Sequence, residues 1–246
     1  VKMVDPALYL VFLAGLLMGG YYVLESRGRQ RPFRIVPSFA RLRRAVAILV
    51  ENGQSAQVAL GQGSILAPQA GSSLAALETL AGLSRLCLAG DSPPLASSGD
   101  GSLHLLITEA WRVSQGFRAS AKRTNRQVIF PGASPFSYIA GAMLAQQGED
   151  VAMSLITGSQ GPEVGLLVEA AERNRAFTAG GSEHLLAQAV LAGTTRLAFT
   201  GEEYFAMNAG WKRDRLHAAS LHTQDALRLL IIAAILLGGI LTLVGK

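Results

Sequence analysis

Cysteine is almost missing: Cys87 is the only one in 246 residues. An intrachain disulfide is therefore impossible, and a cysteine-based metal site cannot be completed by this chain alone. Cys87 sits in an apolar helical pattern, LSRLCLAG, and reads as a small buried hydrophobe. Histidine is scarce as well. Among His104, His184, His217 and His222 no pair has helical ligand spacing; His217 and His222 are five apart and share a helix face poorly. A metal site is not expected. Aromatics make up 7% of the chain and are not interleaved with its arginine clusters, so nucleic acid is not an expected partner. The phosphate loop G-x-x-x-x-G-K-[ST] does not occur, and Gly61-x-Gly63 lacks the third glycine and immediate helix of a dinucleotide fingerprint. Ser98 and Ser159 each lie near a glycine without forming G-x-S-x-G. Asp100, Glu202 and Glu203 stand at helix starts, where carboxylates ordinarily cap or meet the dipole. No catalytic residue and no cofactor is assigned on this reading, and an enzymatic activity is not favoured.

Charge is also thin, at 16% of residues against 50% hydrophobic, and the mean hydropathy is +0.31. That is too apolar for an ordinary soluble domain and too polar for a chain made of membrane spans. Two runs account for the excess. From Leu229 to Gly245 the sequence is uncharged, bracketed by Arg228 and Lys246, and a run of roughly 17–20 such residues can cross a bilayer as a helix. Pro6 to Leu24 is a second uncharged run. Its start carries both Lys2 and Asp5, and it ends in Tyr21 and Tyr22, which suit an interfacial belt better than a cleavage site. A retained anchor is expected. Gly15 and Gly19 form a G-x-x-x-G, and Gly238–Gly239 lie at the middle of the second span; small residues of this kind allow close helix packing in lipid.

The net charge of +5 is concentrated beside the spans. Arg27, Arg29, Arg31, Arg34, Arg41, Arg43 and Arg44 follow the first against one acid, Glu25. Lys212, Arg213, Arg215 and Arg228 precede the second. The positive-inside rule puts the intervening domain in the cytoplasm and both termini outside. Arg27, Arg29, Arg31, Arg34, Lys212, Arg213 and Arg215 could also hold anionic lipid headgroups.

The expected organisation is an N-terminal transmembrane helix (residues 1–25), a basic linker (26–36), a cytoplasmic α/β domain (37–210), and a helical stalk with a C-terminal span (211–246). Within the domain, helices are expected over 38–52, 72–89, 101–115, 134–147, 162–174 and 182–192, with a short one from Glu202. Strands are expected over 57–60, 94–97, 127–130, 151–156, 175–178 and 196–200, and a polar basic loop over 119–126. Short apolar strands alternating with helices imply a mostly parallel, doubly wound, Rossmann-like sheet. In such a fold ligands bind beyond the carboxyl ends of the strands. Those ends hold Gly61, Gly63 and Ser64; Ser98 and Gly99; Thr157, Gly158, Ser159 and Gly161; Thr178 and Gly180; Thr200 and Gly201. They could hold an anion or a nucleotide phosphate at helix N-termini, although glycine and serine serve equally as turn and cap residues.

Taken together, RPFRIVP at Arg31–Pro37, ENG at Glu51–Gly53, TGSQGPE at Thr157–Glu163, TGEEYFA at Thr200–Ala206 and ASLHTQDALR at Ala219–Arg228 resemble a family of bacterial membrane proteins known as a domain of unknown function. The resemblance implies the two-anchor architecture in a bacterial inner membrane and implies no activity. The favoured expectation is a structural or scaffolding protein that self-associates or joins a membrane complex. The alternative is a ligand-binding or enzymatic α/β domain using its glycine-rich strand ends.

Overall fold

A computed structural model describes residues 6–27, 37–67, 70–87, 92–115, 127–147, 151–207 and 215–244. The chain forms two units, one of Ile35–Trp211 and one of Val1–Arg34 with Lys212–Lys246. The expected loop over 119–126 lies outside the described residues.

The larger unit contains a parallel sheet. Its elements in chain order are α2 (Pro37–Glu51), β1 (Ser55–Gly61), α3 (Ala70–Cys87), β2 (Leu95–Ser97), α4 (Gly101–Gln115), β3 (Val128–Ile129), α5 (Pro135–Gln147), β4 (Val151–Ser159), α6 (Val164–Arg173), β5 (Phe177–Gly180), α7 (Leu185–Thr194), β6 (Leu197–Ala198) and α8 (Glu202–Phe205). The six strands run in the order β3-β2-β1-β4-β5-β6, every pair parallel. The direction of winding therefore reverses between β1 and β4.

Both sheet faces are covered, which explains why the strands lack polar alternation. Val58 and Leu60 of β1, with Met153 and Leu155 of β4, belong to a core completed by Leu42, Val46 and Leu49 of α2, Leu80 and Leu83 of α3, and Ile107 and Trp111 of α4. Ala59 and Ile156, one step along those strands, face the opposite core with Tyr138 and Ile139 of α5, Leu167 and Val168 of α6, and Leu191 of α7. Each such aliphatic side chain, fully buried, contributes about 1.5–3 kcal/mol. α2 shows how sequence sets orientation. Leu42, Val46 and Leu49 recur at helical spacing and are buried, while Arg41, Arg43 and Arg44 on the remaining surface are exposed.

Several element limits differ from the sequence expectation for identifiable reasons. β4 runs three residues beyond Ile156, because its register against β1 slips between Ala59 and Gly61 and resumes at Gly61↔Ser159; Gly158 in that slip has φ 87°. Arg175 is not in a strand but in a tight turn at φ 59°, and β5 begins two residues later. Ser182 does not open α7; its hydroxyl is buried and accepts the Gln160 amide hydrogen at 3.1 Å. Ser72 and Ser73 lie inside α3, not at its cap.

The smaller unit holds two helices, α1 (Pro6–Ser26) and α9 (Arg215–Val244), which pack against each other. Leu8–Ser26 and Ala218–Leu243 have mean hydropathies of 1.6 and 2.4, long and apolar enough to cross a membrane. Within the unit, the Tyr21 and His222 rings lie 5.7 Å apart, and Glu25 Oε1 is 3.7 Å from His222 Nε2.

Candidate functional site

A cleft of about 380 Å³ opens at the carboxyl ends of the strands, on the β1/β4 reversal. Gln62 follows β1, Ser159 closes β4, Gly161, Pro162 and Glu163 lead into α6, and His184 with Leu185 and Leu186 begins α7. Pro135 at the start of α5 completes the wall. Every contributor is a strand-end or helix-start residue, the place where a parallel sheet leaves a crevice at its reversal point.

The most defined polar feature is the pair Ser159 Oγ and His184 Nε2, 2.9 Å apart. The imidazole either accepts the serine proton or donates to the hydroxyl, according to its tautomer. Glu183 Oε1 is 3.9 Å from the same Nε2, so it does not sit across the ring. Among the described residues no group holds His184 Nδ1, and the base-orienting arrangement of a serine hydrolase triad is not assembled.

The glycines that line the strand ends are occupied from within. The Gly61 amide donates to the Tyr138 hydroxyl at 3.0 Å, and the Gly158 amide donates to the Tyr204 hydroxyl at 2.9 Å. Burial pushes the Tyr138 phenol up, and burial pushes that of Tyr204 up to about 12, so both stay protonated at neutral pH. Gly61 and Gly63 serve close approach: a Cβ would come within 2.1 Å of the Ser159 carbonyl oxygen at Gly61, and within 2.3 Å of Ser73 Oγ at Gly63. At the N-terminus of α6 the Glu163 carboxylate lies against Gly161 and supplies the negative charge that the helix dipole favours.

Of the strand-end residues singled out from sequence, the cleft gathers Ser159 and Gly161. Ser64 instead hydrogen-bonds Ser102 at 3.2 Å, and the Gly99 amide donates to the Gly61 carbonyl at 2.9 Å. Ser98 Oγ accepts the Asp100 amide, while Asp100 Oδ1 accepts that of Leu103 and caps α4. Thr157 and Thr178 are buried in their strands, Thr178 accepting the Arg196 amide. Gly180 accepts from the Phe199 amide; Gly201, at φ 57°, donates to Gln188; the Thr200 carbonyl accepts the Glu203 amide. Gln62, Gln160, Glu163 and His184 were not in that set. Their only sequence signal is position, at the ends of consecutive strands.

Of the basic residues flanking the two apolar helices, Arg27 and Arg215 bound α1 and α9, while Arg29, Arg31, Arg34, Lys212 and Arg213 lie outside the described residues. Gly15, Gly19, Gly238 and Gly239 have open space where a Cβ would be. Among the described residues no group of three or more His, Cys, Asp or Glu could hold a metal. No protein-family model matches this chain, and neither a curated protein nor a solved structure does.

Proposed function

We propose that this protein is a membrane-anchored ligand-binding protein, whose Rossmann-like α/β domain holds a small uncharged molecule in the cleft between β1, β4 and β5. The observation that carries the reading is the Ser159–His184 hydrogen bond standing in that cleft, at the reversal of the strand order. Gln62, Ser159 and His184 offer both donors and acceptors, and Pro135, Leu185 and Leu186 offer an apolar wall, the mixture expected of a small-molecule site. A phosphate ligand is the weaker candidate. Among the described residues the lining contains no lysine or arginine, the Gly61 and Gly158 amides are engaged by tyrosines, and Glu163 occupies the helix terminus.

Thermal-shift screening of the full chain in mild detergent tests this, with free sugars and nucleosides set against their phosphorylated forms. Stabilisation by an unphosphorylated compound, lost in Ser159→Ala and His184→Ala, is the expected result. Stabilisation by phosphorylated compounds alone, or none by any compound, would overturn it.

Scaffolding is a second reading, favoured by one observation. α1 and α9 meet, yet among the described residues no atom lies within 4 Å of where a Cβ would stand at Gly15, Gly19, Gly238 or Gly239, so these small faces leave room to pack against another helix in lipid. A strictly monomeric particle by native mass measurement in mild detergent would count against it. On either reading the basic flanks favour a cytoplasmic α/β domain in a bacterial inner membrane, with both termini outside.

A further inference from the structure

A second cleft, of about 430 Å³, lies at the other edge of the sheet, where β4, β5 and β6 begin. Its floor is apolar: Ile48 on α2, Met153 on β4, Phe177 on β5 and Leu197 on β6. Its rim carries Arg41 and Arg44 from α2, three residues apart and so on one helix side, and Arg196 from the entry to β6. All three arginines are exposed. Among the described residues none of them has a carboxylate partner. Ile48 is 51% exposed although it borders this hollow.

The two halves of the cleft ask for one kind of ligand. Three guanidinium groups without a counter-charge match a phosphate, which arginine binds through paired N–H donors. A hydrocarbon floor beneath them matches an acyl chain, whose burial is favourable in proportion to its area. A free phosphate would satisfy only the rim, and a neutral lipid only the floor. We propose that this cleft binds one anionic phospholipid, its phosphate held by Arg41, Arg44 and Arg196 and part of an acyl chain laid on Ile48, Met153 and Phe177. The choice of a bilayer lipid rests on the reading that α1 and α9 are membrane spans, since tethering to a bilayer raises the effective concentration of lipid far above that of any soluble amphiphile. The site is separate from the Ser159–His184 cleft, which lies at the opposite ends of the strands.

The test uses the full chain in neutral detergent, with phosphatidylglycerol carrying a photoreactive group in its acyl chain. Crosslinks to peptides containing Ile48, Met153 or Phe177 are expected. Affinity should fall by on the order of 100-fold in R41Q/R44Q/R196Q, given the strength of hydrogen bonds to charged groups, and should hold in R112Q/R173Q, whose arginines are exposed but lie outside this cleft. Ile48→Glu, a second exposed change, should also weaken labelling. Phosphatidylcholine should label poorly, and inorganic phosphate should not compete at lipid concentrations. Crosslinks confined to α1 and α9 would overturn the proposal. So would affinity unchanged in the triple variant, equal labelling by phosphatidylcholine, or full competition by inorganic phosphate. The membrane reading is checked apart, by alkaline carbonate washing of membranes from cells making the wild-type chain. Release into the supernatant would sink that reading whatever the crosslinks show.

Discussion

The Tyr204 hydroxyl accepts the backbone N–H of Gly158 at 2.9 Å. It donates its own O–H to the Ser72 carbonyl at 2.8 Å, tying the end of β4 to α3. Tyr138 does the equivalent on the other sheet face, accepting from Gly61 at 3.0 Å and lying against Ser97 Oγ at 3.3 Å. The two central strands are thus each closed by a phenol from a different core. Tyr204→Phe and Tyr138→Phe keep the ring but leave a buried amide unpaired, which costs about 1–3 kcal/mol. Thermal unfolding of the detergent-solubilised chain should show each variant melting about 3–10 °C lower. Unchanged melting would mean these amides find another acceptor.

Alkaline stability follows from the same burial. Desolvation raises the Tyr204 phenol from 10.0 to about 12 and the Cys87 thiol from 9.0 to about 11. In both cases the folded state keeps the proton longer than the unfolded one, so the contribution is complete below the unfolded value and lost as pH rises through the folded one. Stability should decline first between pH 9 and 11 through Cys87, by on the order of 2–3 kcal/mol, then between pH 10 and 12 through Tyr204. Cys87→Ala should remove the earlier decline and leave the later one. A wild-type profile flat from pH 9 to 11 would contradict this.

The alternation of strands and helices was legible because each helix carries a periodic buried stripe, as Leu42, Val46 and Leu49 do in α2, and each strand a short apolar run. Sequence misled where a buried polar contact or a tight turn outweighs local pattern. Ser182 looks like a helix cap but is committed to Gln160, 22 residues away. Arg175 continues an apolar strand on paper, yet the chain turns there through φ 59°. The candidate site was legible only as an edge. Ser159 and His184 are 25 residues apart and meet because β4 and β5 are adjacent and parallel. Nothing in composition or spacing states that adjacency. Arg41 and Arg44 read as topology signals and Arg196 only as a strand start, because their shared apolar floor is drawn from four separate elements.

His104 should make the domain acid-sensitive. Burial lowers its pKa from 6.5, its Nδ1 is enclosed without a hydrogen-bond partner among the described residues, and its ring meets Phe130 edge-on at 5.8 Å. The folded state resists protonation, so this contribution is present above pH 6.5 and is lost as pH falls through the lower folded value. Melting temperature should drop more steeply between pH 7 and 5 in the wild type than in His104→Gln. Parallel pH profiles would place the acid sensitivity elsewhere.

The β1–β4 junction should be the least forgiving backbone in the domain. Gly158 has φ 87°, and a Cβ there would stand 2.0 Å from the Leu60 carbonyl oxygen. That neighbour is backbone in a central strand and cannot rotate aside, so relief requires separating β1 from β4. Gly53 provides the control: its φ is 64° but among the described residues no atom lies within 4 Å of its would-be Cβ. Gly53→Ala therefore carries only the left-handed penalty of about 1–2 kcal/mol, whereas Gly158→Ala adds a steric clash with backbone to the same penalty and should cost more than about 3 kcal/mol. The two variants isolate packing from conformation, since both positions are left-handed and only one is crowded. Melting curves should put Gly158→Ala well below Gly53→Ala, with weakened stabilisation by any compound that binds the adjoining Ser159–His184 cleft. Equal melting temperatures would show that the strands separate without cost at this point, and that the slip in register at Ser159 is a soft feature of the sheet.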